Sequence, residues 1–301
     1  MLNPGWTLAQ LTHLAEVASG PTWTDAAERL GITQSALSQS LAELERRLGM
    51  ELFERRGRRR VLTAPGQQVL NEAERLLAVA TDLDRTATAL ASGATGDLRV
   101  GMIDTAALRV LPSAIRSFRS QHANVALHLV VEASGELTDR VLGGDLDLAV
   151  IVRPPQPAHD LEVTLLVEEP LLLFAPPGTP TTPPERWGPW AMFPARSTTR
   201  GIIERALADR GADPRVVTES PNPEVLRQVV GLGLGWAVLP RSEASVGDGV
   251  LTPYRRSAIA RRDLVVIRRG AAPLDPRAET FVDLARSSAL ASTGAASRSH
   301  R

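Results

Sequence analysis

Four polar side chains suited to hydrogen bonding with a base edge occur together at the start of a predicted helix: Gln34, Ser35, Ser38 and Gln39. The opposite face of that helix carries an apolar stripe at helical spacing, formed by Leu37, Leu41, Leu44 and Leu48. A glutamine can pair with adenine in the major groove of a duplex, and a hydroxyl can contact a base or a phosphate. The spacing therefore predicts a helix whose outer face contacts DNA.

A second group of side chains is strongly basic and lies shortly after that helix. Five arginines occur within six residues: Arg55, Arg56, Arg58, Arg59 and Arg60. Like charges at this density repel one another unless an anion lies close by, and a duplex backbone is the commonest such partner. Short predicted strands at 51–53 and 61–62 flank the arginines, so the segment is interpreted as a β-wing with an arginine-rich turn.

Two short helices must position the first group. Ala26, Ala27 and Leu30 give the earlier helix an apolar face, and Gly31 stands where a left-handed residue would end it. We predict that Thr24 caps this helix, that Thr33 caps the next one, and that Thr63 caps the helix after the wing. These three threonines are included in the predicted DNA-contacting set. An upstream helix at 7–19 would complete a three-helix core.

The helical pair taken alone also fits an ordinary helical hairpin with a solvated face. The wing that follows favours a winged helix-turn-helix, in which two helices and a turn direct one helix at a groove.

A long helix is predicted at 67–90, with a repeating seam of small and large apolar residues. The seam consists of Val69, Ala73, Leu76, Ala80, Leu83, Ala87 and Leu90. Alternating spacings of four and three are typical of a coiled coil, and the helix would be about 35 Å long. Pairing of two copies is one interpretation; the other is a single helix packed on its own domain.

The pattern changes after a short flexible segment at 91–96. Predicted strands fall at 98–102, 125–131, 146–152, 171–175, 190–193, 215–218, 236–239 and 264–267. Predicted helices fall at 108–122, 136–143, 201–210, 223–231 and 276–289, and the tail at 291–301 is expected to be disordered. Alternation of strands and helices predicts a parallel sheet flanked by helices.

The segment from Leu8 to Leu70 resembles the DNA-binding end of LysR-type transcriptional regulators. The matching stretches are AAERL, TQSALS, LERRLGMELFER and the LT-G closure of the wing in LTAPG. Ser35 replaces a common proline and Gln39 a common arginine, whereas Pro21 and Trp23 replace the usual serine and phenylalanine. Trp23 can fill the same apolar space.

The resemblance implies an α/β protein with three parts. These are a winged helix-turn-helix at 1–65, a linker helix at 66–92 through which two copies pair, and a two-lobed effector domain at 96–290 similar to periplasmic binding proteins. Lobe I would comprise about 96–175 and 256–290, and lobe II about 176–255. The partners implied are promoter DNA, a small effector, RNA polymerase and a second copy of the chain.

Polar residues that follow the predicted strands are the candidates for binding that effector. They are Asp104, Thr105, Ser134, Arg196, Ser197, Thr198, Thr199, Ser220 and Asn222. Thr105 and Ser134 fall where the family commonly places effector-contacting hydroxyls. Helix N-termini and Arg196 favour a carboxylate, and Asp104 leaves room for an amine, so an organic acid or amino acid is expected. The alternative for each residue is helix capping.

Composition and motif content disfavour several other functions. The chain has no cysteine, its five histidines are scattered, and its formal net charge is zero, so the arginine cluster is a local feature. Gly231-Leu232-Gly233-Leu234-Gly235 follows a helix, the reverse of a nucleotide-binding context.

We therefore expect a bacterial transcriptional regulator in the cytoplasm that binds DNA as a homodimer or homotetramer, without catalysis, metal or cofactor. The alternatives are an effector-independent regulator and a cytoplasmic solute-binding protein.

Overall fold

The computed structural model describes residues 5–56, 59–92, 96–245, 251–270 and 275–298 of the chain. It divides into two units, one formed by Met1–Gly93 together with Leu142–Asp145 and the other by Ala94–Val141 and Leu146–Arg301. Each unit has its own buried apolar residues. The combination of a helical unit and an α/β unit confirms the predicted fold class.

The elements of the N-terminal unit pack around one hydrophobic core. They are α1 (Leu8–Ser19), α2 (Trp23–Leu30), α3 (Gln34–Leu48), β1 (Phe53–Arg56), β2 (Arg59–Leu62) and α4 (Ala64–Ser92). Leu14, Leu37 and Leu44 are fully buried in this core. They occupy the apolar faces that the helical spacing predicts, so burial of these faces aligns the three short helices.

Helix capping differs from the prediction at α2. The hydroxyl of Thr22 accepts a hydrogen bond from the amide of Asp25 across 3.1 Å, so Thr22 is the cap and Thr24 lies inside the helix. Two threonines stand two residues apart here, and the earlier start places Trp23 in the first turn, where its ring meets that of Phe53. Gly31 is left-handed, with φ of 68°, as predicted.

The wing begins two residues later than predicted. Its strands pair antiparallel, with Arg55 opposite Arg60. The amides of Leu52 and Phe53 both donate to the carboxylate of Glu45 on α3, across 2.8 and 3.1 Å. That carboxylate fixes the base of the wing to the end of the predicted recognition helix.

Helix α4 starts at Ala64, earlier than predicted, because Thr63 accepts from the amide of Gly66 across 2.9 Å. The threonine is therefore a cap, as expected.

The C-terminal unit contains both strands and helices. In order they are β3 (Asp97–Met102), α5 (Pro112–Gln121), β4 (Ala126–Val131), α6 (Ser134–Leu142), β5 (Leu148–Val152), β6 (Leu161–Phe174), β7 (Trp190–Met192), α7 (Thr198–Ala208), β8 (Val216–Glu219) and α8 (Pro223–Gly231). They are followed by β9 (Ala237–Pro240), β10 (Ala260–Arg269) and α9 (Pro276–Arg298).

The principal sheet of this unit is mixed, with the strand order β4-β3-β5-β10-β6-β9. Strands β3, β4 and β5 are parallel, as predicted, but β10 pairs antiparallel with both β5 and β6. Strands β7 and β8 form a separate parallel pair in lobe II, whose own core includes Trp190. The long strands β6 and β10 pair with each other, and the end of β6 pairs with β9 of lobe II, so these strands connect the lobes.

Several predicted element boundaries are wrong. The predicted helix at 108–122 is interrupted, because a π-helical turn at Ala106–Val110 precedes Pro112, which begins α5. Helix α7 begins at Thr198, which moves Thr198 and Thr199 from the turn into the helix. The tail was expected to be disordered from 291, but α9 continues to Arg298 through a stretch rich in alanine, the strongest helix former. The last three residues lie outside the described part.

Candidate DNA-binding surface and effector site

The N-terminal half of α3 exposes the polar side chains predicted to read bases. Gln34, Ser35 and Gln39 are exposed and Ser38 is half-buried, whereas Leu37 and Leu41 on the other face are buried. Thr33 caps this helix by accepting from the amide of Ala36 across 3.2 Å, and Thr24 lies exposed on α2. Because the core fixes the buried face, the polar face has a fixed orientation.

Aromatic contacts tie the wing to the helix pair. The guanidinium of Arg60 lies 4.8 Å from the centre of the Trp23 ring, and that ring meets Phe53 edge-on at 4.9 Å. A cation over an aromatic face is held by the ring quadrupole. Arg60 is therefore positioned by Trp23.

The other wing arginines are placed differently. Arg55 is exposed, and Arg56 pairs with Glu54 at 2.8 Å. Arg59 lies on β2, and Arg58 is outside the described residues. The described strands thus carry basic side chains, and Glu45 ties the base of these strands to α3.

Helix α4 carries exposed apolar residues along one side, although the predicted seam is not uniform. Leu76, Val79 and Leu83 are exposed, with Leu83 at 70%. Ala73 is instead buried in the core of its own unit, which corrects its assignment to the pairing seam. Helix α4 packs on α1, and Leu70 and Ala73 are buried in the core, so the seam faces that core there. Of the remaining predicted positions, Val69 packs partly on the same core, Ala80 is half-buried, Ala87 is exposed and Leu90 lies on the last turns.

Two of the predicted effector-contacting hydroxyls meet at one arginine between the lobes. Arg262 donates to the hydroxyl of Thr105 across 3.1 Å and to that of Thr199 across 2.9 Å. Thr105 precedes the π-helical turn of lobe I, and Thr199 lies in the first turn of α7 in lobe II. The structure therefore brings these two candidates together, through a residue that the sequence analysis did not select.

The remaining predicted effector residues serve local roles or face solvent. Asn222 caps α8 by accepting from the amide of Glu224 across 2.8 Å, and Ser220 accepts from the amide of Asn222. Ser134 accepts from the amide of Val152 across 3.3 Å. Arg196 is exposed, Thr198 is half-buried, and Ser197 precedes α7 without a side-chain capping bond.

Asp104 adjoins Thr105 and is half-buried. Burial raises the pKa of its carboxyl above the ordinary value.

Buried charges surround the arginine that joins the two hydroxyls. Glu169 accepts from Arg262, and Ser242 donates to Glu169 across 3.3 Å. The next residue, Glu243, is 2% exposed, and its Oε1 lies 3.6 Å from Nε of Arg109. Burial raises the pKa of Glu243, as do the nearby carboxylates of Glu224 and Glu169, and Arg109 opposes that shift.

Comparison with known proteins identifies both units. Residues 8–67 match the model for bacterial regulatory helix-turn-helix proteins of the lysR family, and residues 91–290 match the LysR substrate binding domain. The chain belongs to the LysR family. It is a DNA-binding transcriptional regulator with an effector-binding domain.

Curated proteins similar to this chain are named as helix-turn-helix transcriptional regulators. The chain is 33% identical to the transcriptional regulator IlvR of Caulobacter vibrioides over 253 residues, covering 78% of this chain and 82% of that protein. It is 30% identical to CbbR of Xanthobacter flavus over 262 residues, covering 83% and 78%.

Solved structures show the same fold. OxyR of Corynebacterium glutamicum aligns with a TM-score of 0.58 at 24% identity, over 97% of this chain and 95% of that one. CbnR in complex with its target DNA aligns with a TM-score of 0.57 at 22% identity, over 94% and 99%.

The described residues contain no helix with the length and apolar character of a membrane-spanning segment. They also contain no group of three or more histidine or acidic side chains placed to hold a metal ion.

Sequence reasoning about this LysR-family chain missed Arg262 and Glu169. Both belong to adjacent like-charged pairs, Glu168-Glu169 and Arg261-Arg262, in strands that also contain apolar runs. Alternation along a strand sends one member of each pair inward. That signal was present, but the register that sets Glu169 opposite Arg262 depends on β6 being fourteen residues long, whereas the sequence predicted its last third alone.

Proposed function

We propose that this regulator binds promoter DNA as a homodimer or a dimer of dimers, reads bases with α3 and contacts phosphates with the wing. The observation that supports this proposal is the exposed polar face of α3, formed by Gln34, Ser35 and Gln39. The buried leucines on the opposite face of α3 fix its orientation. Ser38 lies between them, and Arg55 and Arg60 stand on strands anchored to α3 through Glu45. Arg58, Arg59 and Thr63 belong to the same proposed surface.

Self-association through α4 is the second part of the proposal. One recognition helix reads few bases, and two related by symmetry can bind half-sites a helical turn or a multiple apart. The exposed leucines at 76 and 83 supply an apolar stripe that a second copy of the helix would cover. CbnR is a relative in fold whose structure contains its target DNA.

The third part is the response to an effector. A small carboxylate or amino acid would bind between the lobes, near Thr105 and Thr199, and favour one arrangement of lobes and subunits. That change would alter the bend of promoter DNA and the contact with RNA polymerase. The protein would act in the cytoplasm, where promoter DNA is found, and by binding alone, without catalysis, metal or cofactor.

A second candidate is a regulator that binds DNA without an effector. It is favoured by the observation that Thr105, Thr199, Ser134, Ser220 and Asn222 all have hydrogen-bond partners within the protein. In that case these residues are structural, and the lobes serve to present the DNA-binding units.

The test is selection of a binding sequence from a random DNA pool, followed by gel-shift titration against unrelated DNA. Specific regulators prefer their sites by about 10³-fold or more. Wild type should show this preference, and a double variant with Gln34→Ala and Gln39→Ala should lose most of it. Equal affinity of wild type for selected and unrelated DNA would contradict the proposal.

A further inference from the structure

An ion pair is buried where the two connecting strands run side by side. Arg262 on β10 and Glu169 on β6 are register partners. Nε of Arg262 donates to Oε2 of Glu169 across 2.8 Å, and a terminal nitrogen lies 2.7 Å from the same oxygen. The two side chains are 2% and 10% exposed. A charge removed from water in this way requires a partner at close range.

The same strands carry a second pair that serves as a contrast. Arg261 and Glu168 also pair, but their side chains are 62% and 51% exposed. Strand alternation sends one Arg–Glu pair to solvent and the other into the protein. A buried pair contributes little net stability, because desolvation of both charges offsets their attraction. The inner pair therefore calls for an explanation other than stability.

Hydroxyls from both lobes complete the surroundings of the inner pair. Thr105 of lobe I and Thr199 of lobe II each accept from the guanidinium of Arg262, and both are buried. A hydroxyl that accepts a bond still has its own proton to donate, and accepting from a charged donor polarises it further. One guanidinium and two such hydroxyls form a set of donors suited to a small carboxylate.

A carboxylate already binds the guanidinium of this set, and it is the protein's own. Glu169 holds the guanidinium and also accepts from Ser242. We propose that Glu169 is an internal anion in the anion-binding part of the effector site, and that the effector carries a carboxylate which replaces it on Arg262. Thr105 and Thr199 then donate to the incoming carboxylate. This inference rests on the proposed effector response and assigns Arg262 as its anion-binding residue.

The arrangement has a consequence for affinity. An effector must displace a tethered competitor, so its apparent affinity is the intrinsic affinity multiplied by the fraction of molecules in which Glu169 has left Arg262. Removal of Glu169 should therefore open the site to simple carboxylates that bind wild type weakly.

Chemical rescue tests the proposal directly. Glu169→Ala removes a carboxymethyl group, which acetate resembles in size and charge. The full-length variant is heated with sodium acetate replacing sodium chloride at constant ionic strength. Acetate at ten times its dissociation constant should raise the thermal unfolding midpoint of Glu169→Ala by about 3 °C or more. Wild type should rise by much less, since its own carboxylate fills the site.

The matched control is Glu168→Ala, which breaks the exposed pair one residue away and should show no acetate-specific rise. A double variant with Glu169→Ala and Arg262→Met should also lose the rise. If Glu169→Ala yields no folded protein, Glu169→Gln is titrated with acetate in its place. This variant keeps the shape of the side chain and removes its charge. It should bind acetate at least tenfold more tightly than wild type.

Two results overturn the proposal. The first is an acetate response of the Glu169 variant, whether Glu169→Ala or Glu169→Gln, that is no larger than the response of Glu168→Ala. The other is an undiminished response after Arg262→Met. Selective DNA binding by wild type is measured separately, so that loss of the proposed function is distinguished from failure of this inference.

Discussion

Arg262 donates to the hydroxyl of Thr105 across 3.1 Å, and the two residues are 157 positions apart in the chain. Thr105 follows the first strand of lobe I, whereas Arg262 lies on β10, the strand that returns from lobe II. This threonine was predicted to contact an effector, and in the structure it also joins lobe I to a connecting strand. The two roles are compatible, because the hydroxyl can accept from Arg262 and donate to a ligand.

Thr105→Ala should destabilise the protein, because it leaves a donor of a buried guanidinium without an acceptor. Hydrogen bonds to charged groups contribute about 1.5–3 kcal/mol. Urea unfolding of the full-length variant measures the loss. Thr198→Ala, at a half-buried position near the same site, should change stability by no more than about 0.5 kcal/mol. Equal losses in the two variants would contradict the structural role of Thr105.

Gln34→Ala should weaken binding to the selected DNA sequence by about 1–3 kcal/mol and leave affinity for unrelated DNA nearly unchanged. The reason is that a glutamine bound to a base edge carries sequence information, whereas phosphate contacts do not. Gel-shift titration on both DNAs provides the measurement. Gln121→Ala, an exposed glutamine at the end of α5, is the control. A uniform loss on both DNAs would assign Gln34 to the backbone instead.

Arg55→Gln should weaken binding to every sequence and reduce the dependence on salt. Each phosphate contact contributes about 0.9 to the slope of log affinity against log salt concentration. Arg55 is exposed on the wing, so its slope change should be close to that value. Arg58→Gln and Arg59→Gln should behave in the same way. Arg119→Gln, exposed on α5, should leave the slope unchanged. An unchanged slope for Arg55→Gln would exclude a phosphate contact there.

Leu83→Asp should dissociate the proposed dimer. Burying a leucine contributes about 1.5–3 kcal/mol, and a symmetric dimer loses this contribution twice, which predicts a dissociation constant about 100-fold weaker or more. Sedimentation equilibrium measures it. Asn71→Asp adds the same charge to α4 away from the stripe of Leu76 and Leu83 and is the control. A dimer unaffected by Leu83→Asp would contradict pairing along this stripe.

The sequence predicted the local elements of the N-terminal unit well, because each depends on spacing within one helix. The buried face of α3, the left-handed Gly31 and the cap at Thr33 all follow from neighbours a few residues apart. The cap of α2 was assigned to Thr24 instead of Thr22, because the choice between two good caps depends on packing of Trp23 against Phe53, thirty residues away.

The site between the lobes was harder to predict, since it depends on strand register. Thr105 and Thr199 were selected as strand-end hydroxyls, but their common partner Arg262 lies on another strand. The heptad position of Ala73 fits a residue that pairs with a second copy and a residue of the unit's own core equally well. Its burial in that core shows that it is a core residue. Spacing specifies a face of a helix, but not what covers that face.

Glu243 should make stability depend on pH in a characteristic direction. Its pKa is raised above the ordinary value of 4.5 by burial, with additions from Glu224 and Glu169 and opposition from Arg109. The folded state therefore binds this proton more tightly than the unfolded state does. The stabilisation is fully present below 4.5 and is lost as the pH rises through the raised pKa of the folded state.

Glu243→Gln cannot ionise, so its free energy of unfolding should rise relative to wild type as the pH increases above 4.5, and level off above the raised pKa. Urea unfolding of both proteins from pH 4 to about 8 measures that difference. Glu162→Gln provides a control of opposite sign, because a hydrogen bond from Arg268 lowers the pKa of Glu162. Wild type should gain stability over that variant as the pH rises from the lowered pKa towards 4.5. A difference between Glu243→Gln and wild type that stays constant with pH would show that Glu243 has the same proton affinity in the folded and unfolded states.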